Sequence, residues 1–125
     1  MKMILALLAL TSAAAAADQS RLIDALIRVE SNGKAITVAE ANRLSGKHFT
    51  HREMFDPTKA RAVAEIVLSH YSKHISKTTG RDATNKELAF IWNGGAGAWK
   101  RASAPLGDAK QRNLEAYWNK VAKAL

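Results

Sequence analysis

The chain has 125 residues, of which 19 are Lys or Arg and 11 are Asp or Glu, giving a formal net charge of +8 with histidine neutral. It has no cysteine, which excludes a disulfide-stapled scaffold. The length suits one domain with a modest core, and the basic balance favours anionic polymers such as wall glycopeptide, teichoic acid, lipid headgroups or nucleic acid.

The first 17 residues read as an export signal: Lys2 is the positive start, Ile4 to Leu10 the apolar core, and the alanine run to Ala17 offers a cleavage site before Asp18. The apolar run is too short for a permanent bilayer anchor. Residues 18–125 then form the mature domain, 125 − 17 = 108 residues with 18 basic and 11 acidic side chains, or +7. An exported, cysteine-free chain of this size fits a bacterial periplasm or cell exterior, where wall polymer is the nearest anionic partner. No aromatic RNA-binding signature accompanies the charge, so nucleic acid is not expected as a partner.

The punctuation is that of a small all-α protein with little or no sheet. Asp18 or Ser20 can cap a first helix ending at Glu30, stopped by Asn32-Gly33. Thr37 to Glu40 has the pattern of a capping box opening a short helix that ends at Ser45-Gly46, and Thr50 to Glu53 repeats it before a brief turn. Asp56 as N-cap with Pro57 at the first helical position opens the longest helix, whose inward stripe is Ala60, Val63, Ala64, Val67, Leu68, Tyr71 and Ile75, with Gly80 beyond its end. A third box, Thr84 to Glu87, starts a short apolar helix that Asn93-Gly94-Gly95-Ala96-Gly97 ends, the glycines allowing close backbone approach by a ligand. A loop from Arg101 to Lys110 leads to a last helix carrying Leu114, Tyr117, Trp118, Val121 and Leu125 on one face.

Two segments carry chemistry. In the first helix Leu22, Ile23, Leu26 and Ile27 recur at helical spacing, and Glu30 continues their stripe three and four positions on. A carboxyl facing inward is costly to ionise, and the raised pKa suits a general acid near neutral pH. The competing structural reading is a solvated glutamate, or one paired with Arg28 or Arg43. In the second segment, Phe90-Ile91-Trp92-Asn93-Gly94-Gly95 couples an apolar helix end to an amide and a glycine turn. Aromatic faces stack on sugar rings while an amide bonds hydroxyl or N-acetyl groups, a combination suited to a saccharide groove.

Together these segments resemble the lysozyme-like lytic transglycosylase family and its goose-type lysozyme relatives. Leu22-Ile23-Asp24-Ala25-Leu26-Ile27-Arg28-Val29-Glu30-Ser31 is similar to the family's apolar helix ending in Glu-Ser, and Ile91-Trp92-Asn93-Gly94-Gly95 to its aromatic-Asn-Ala/Gly-Gly turn. Phe55-Asp56-Pro57 with the long helix, and Tyr117-Trp118-Asn119-Lys120-Val121, resemble the connecting and closing parts of the same domain. The resemblance implies a small lysozyme-like helical domain that cleaves peptidoglycan between N-acetylmuramic acid and N-acetylglucosamine. Glu30 would be the catalytic acid and then base, with Ser31, Trp92, Asn93, Gly94 and Tyr117 at the substrate. No cofactor or metal is implied, peptidoglycan glycan strands are the expected partner, and the protein is expected to be a monomer without an integral membrane segment once the signal is removed. The muramoyl 6-hydroxyl attacks its own anomeric carbon, so one carboxylate suffices and an anhydro sugar leaves. Hydrolysis would need a second acid across the groove, and neither Asp24, on another helix face, nor Asp56, a cap, fits that part. The chain departs from the family in running from Asn32-Gly33-Lys34 almost directly into the next helix, without a Gly-x-x-Gln-like element; no glutamine follows Glu30 before Gln111.

Other functions are open from the same residues. A true muramidase is suggested by the goose-type relatives, a catalytically weak wall-binding module by the missing groove element and the +7 charge, and a cationic membrane-active protein by the charge and the amphipathic helix from Leu114 to Leu125. His70 and His74, four apart on the long helix, have metal-pair spacing without a third ligand and are expected on a solvated face. Tyr71 and Tyr117 fit an amphipathic core, and Trp99 is expected to pack over the glycine turn with Lys100 and Arg101 in solvent.

Overall fold

A computed structural model of the protein describes residues 19–29, 35–105 and 107–125. The expected export signal at 1–17, the cap at Asp18, the stop at Asn32-Gly33, and Glu30 and Ser31 all lie outside the described residues. The described residues form an all-α domain: α1 (residues 19–29), α2 (Ala35–Ser45), a 3-10 turn (His51–Phe55), α3 (Pro57–Thr79), α4 (Asn85–Gly94), a second 3-10 turn (Ala98–Arg101) and α5 (Ala109–Ala124). No strand occurs among them.

The boundaries follow local chemistry. Thr50 and Glu53 form a reciprocal capping box, Thr50 Oγ1 accepting from the Glu53 amide and Glu53 Oε1 from the Thr50 amide at 2.8 Å. Asp56 accepts the Thr58 amide at 2.9 Å, Pro57 fills the first helical position, and Gly80 ends α3 in the left-handed conformation at φ 74°. Thr84 and Glu87 cap α4 in the same way as the first box.

Four local expectations are corrected. Ser20 lies inside α1 rather than at its cap. Helix α2 already runs from Ala35, so Thr37 is an interior position and Glu40 turns to Arg43 and Tyr71 instead of a cap. Asp108 accepts the Gln111 amide at 2.8 Å and starts α5 at Ala109, inside the stretch expected to be loop. Leu125 falls beyond the last turn of α5 and is 49% exposed, while Gln111, three residues before Leu114, takes the extra buried place on that face.

Helix α3 is the spine, packed by α2, by the first 3-10 turn and by α4. One core cluster joins Leu22, Ile23, Ala25 and Leu26 of α1 to Ala64, Leu68 and Ile75 of α3, to Leu88, Ala89, Ile91 and Trp92 of α4, and to Trp99 and Val121. A second places Val38 and Ala41 of α2 and Met54 against Val63 and Val67, and Tyr71 packs against both. A third, Phe90 with Ala98 and Leu114, locks α4 to α5 and the second 3-10 turn. The expected inward stripe of α3 is thus the face on which two clusters meet.

Candidate functional site

The apolar pattern of α1 is realised: Leu22, Ile23, Ala25 and Leu26 are each at most 1% exposed, and Asp24 and Arg28 face solvent. Asp24 pairs with Arg61 of α3, which fixes the polar side of α1 and uses that carboxylate in an ion pair. The described part of α1 ends at Val29, which packs with Ile27 against the main core, and Glu30 is the next residue in sequence.

At the other candidate segment, Trp92 is buried in the same core cluster as α1, and Tyr117 packs against that cluster from α5. Asn93 is half-buried on the last turn of α4. The helix does not stop at Asn93 but continues through Gly94, and Gly95, at φ 97°, is its C-cap. A Cβ on Gly94 would lie 2.7 Å from Leu114 Cδ2 and 2.9 Å from the Ala98 Cβ. Glycine at 94 is therefore required by the close approach of α4 to α5 and the second 3-10 turn, whatever ligand its backbone meets. The structure brings Trp92, Tyr117 and α1 into one cluster and turns Gly94 towards another.

The described carboxylates divide sharply from a general acid. Glu40 lies on α2 beside the buried Val38 and Ala41; Arg43 binds it through its guanidinium, and the Tyr71 hydroxyl donates to its Oε1 at 2.9 Å. The Arg43 guanidinium holds the Glu40 carboxyl below its usual range, with burial opposing and Tyr71 assisting. Burial first, and the bond to Glu40 second, push the Tyr71 hydroxyl upward, so the tyrosine stays protonated as a donor. Glu87, buried at the start of α4, receives both guanidinium nitrogens of Arg81 at 2.8 Å, and this fork is the first cause of its lowered pKa. Glu53 is lowered chiefly by Lys59, and Asp108 chiefly by the Gln111 amide and then Arg101. Each described carboxylate with a displaced pKa is displaced downward, towards a fixed negative charge.

No protein family, curated protein or solved structure matches this chain. Its chemistry rests on its own residues.

The Glu40–Tyr71–Arg43 group escapes a reading by motif, because Glu40 sits at the fourth position of a box-like tetrapeptide; the signal that finds it is its place beside the Val38 and Ala41 stripe with an arginine three residues on. Arg43 is bound to Glu40. The Arg81–Glu87 fork gives no motif either, since Arg81 precedes the helix it serves. His70 and His74 are exposed as expected, and no group of three His, Cys, Asp or Glu that could hold a metal exists among the described residues. Trp99 is buried in the main core with His74 edge-on to it at 6.4 Å. No helix among the described residues is long and apolar enough to cross a membrane.

Proposed function

We propose that the protein cleaves peptidoglycan between N-acetylmuramic acid and N-acetylglucosamine by the one-carboxylate route, with Glu30 as acid and then base and 1,6-anhydromuramoyl ends as product. The observation that carries this reading is the fully buried stripe of α1, Leu22, Ile23 and Leu26, whose next helical step along the sequence is Glu30. Supporting it, the buried Trp92 sits in one core cluster with α1, and the half-buried Tyr117 and Asn93 beside it keep an aromatic and an amide partly accessible to a saccharide.

Three carboxylates that could serve a hydrolase as a second acid are engaged elsewhere. Asp24 is bound to Arg61, Glu40 is held by Arg43 and Tyr71, and Asp56 caps α3, so none is an unengaged second acid. In the proposed step Glu30 protonates the glycosidic oxygen as the bond breaks and then takes the proton of the muramoyl 6-hydroxyl as that oxygen closes on the anomeric carbon. The test is release of soluble muropeptides from purified sacculi by the wild type and by Glu30→Gln, with circular dichroism to show that the variant folds. Loss of release by at least about a hundredfold is expected for removal of a general acid; unchanged release by a folded Glu30→Gln variant refutes the proposal.

A further inference from the structure

Helix α3 changes character along one face. Val63 and Val67 are buried under α2 and the first 3-10 turn, and two turns further on the same face carries His70 and His74, both exposed. Lys73 and Lys77, also exposed, complete a stripe at the spacing i, i+3, i+4, i+7. His74 meets the edge of Trp99, and the Lys100 ammonium lies 5.9 Å from the same ring, which brings a fifth cationic group beside the stripe. From position 70 to 77 the row is about 10 Å long.

Among the described residues no ion pair engages His70, Lys73, His74 or Lys77. Residues 66–79 contain no Asp or Glu, and Lys73 and Lys77 form a like-charge i,i+4 pair, an arrangement that costs helical stability. The C-terminal dipole favours Lys77 in the last turn, but Lys73, His70 and His74 lie before it. The one carboxylate beside the row, Glu40 next to His70, is already taken by Arg43 and Tyr71; His70 also meets the edge of the Tyr71 ring. Five other acids, Asp24, Glu53, Glu87, Asp108 and Glu115, are each paired with cations elsewhere.

We infer that this face of α3 binds a linear phosphodiester polymer without bases, of the polyol-phosphate type. The row is narrow, convex and of one sign, suited to a flexible chain of regularly spaced phosphates. It has no Arg, Asn or Gln, which leaves it poorly equipped for sequence-specific reading of a duplex. It also has no exposed large apolar side chain, Phe55 and Leu125 being on other elements, which argues against insertion at a lipid surface.

The test is fluorescence anisotropy of a labelled poly(glycerol phosphate) oligomer at pH 7.5, with folded variants confirmed by circular dichroism. The double variant Lys73→Gln/Lys77→Gln is expected to bind about tenfold more weakly. The control Lys120→Gln/Lys123→Gln on α5, which loses the same charge from exposed positions, stays within about twofold. Equal loss in the two lysine pairs overturns the proposal, because net charge alone would then explain binding. So does weakening by the α3 variants of binding to anionic lipid vesicles or duplex DNA with polymer binding spared. Binding is read without wall cleavage, so its failure and the failure of the muralytic reading are separate results.

Discussion

Replacing Gly94 by alanine probes how closely α4 approaches α5. The new methyl would meet Leu114 Cδ2 at 2.7 Å and the Ala98 Cβ at 2.9 Å, both inside van der Waals contact. Leu114 is 2% exposed and packs with Phe90 and Ala98, so its side chain has no free volume to enter, and the Ala98 methyl has no rotamer at all. Overpacking of this kind costs about 1–3 kcal/mol, against about 0.5–1 kcal/mol gained by replacing a helical glycine. At the middle of each range the net loss is about 1.3 kcal/mol, which for a domain near 100 residues lowers Tm by about 5–10 °C. Thermal unfolding followed by circular dichroism measures it. In the double variant Gly94→Ala/Leu114→Ala the clash with Leu114 is gone, so the double costs less than the sum of the two singles. A Gly94→Ala protein as stable as wild type, or additive costs in the cycle, would refute the packing account of this glycine.

Phe90→Ala empties the centre of the third cluster, where the ring is fully buried, and is expected to cost about 3–5 kcal/mol, read as a lower midpoint in urea. Leu125→Ser should change stability by less than about 0.5 kcal/mol, since the side chain lies beyond α5 in solvent; a larger loss in thermal melts would place it back on the core face. Glu87 has a folded pKa lowered by Arg81 below its unfolded value of about 4.3. Its contribution to stability is therefore present above that value and disappears as pH falls through the folded pKa. Melting temperatures between pH 7 and 3 should show an acid-side decline that is shallower in Glu87→Gln, which is also less stable at pH 7; parallel curves for the two proteins would count against the pairing. Tyr71→Phe removes the donor to Glu40 and should cost about 1 kcal/mol at pH 7, with the difference shrinking as pH falls through the lowered pKa of Glu40.

Where local chemistry decides an element, the sequence was sufficient. The Thr50, Asp56 and Thr84 caps and the Gly80 stop lie where their residue types put them, and the α3 stripe from Val63 to Ile75 is buried as its spacing demands. What depended on distant partners was not legible. Glu40 has the spacing of a capping box, yet its fate is set by Tyr71, 31 residues away, and by the start of α2 at Ala35. Gly94 looks like a helix stop and a place for ligand approach, and only the position of Leu114 on α5 reveals the packing reason for it. Gln111 is polar and near a helix start, but its amide reaches the Arg101 carbonyl at 2.9 Å under the preceding loop, a contact no periodicity encodes. For the candidate site, the clustering of Trp92 and Tyr117 with α1 follows from three separate apolar stripes facing one core, whereas Glu30 and Ser31 rest on the sequence alone.

The central claim is one-carboxylate cleavage centred on Glu30, and mass spectrometry of the products from digested sacculi tests it most directly. Wild-type protein is expected to release muropeptides with 1,6-anhydromuramoyl ends, and folded Glu30→Gln none. Reducing ends in the wild-type digest would contradict the one-carboxylate mechanism, and intact sacculi after prolonged incubation with folded wild-type protein would contradict cleavage itself.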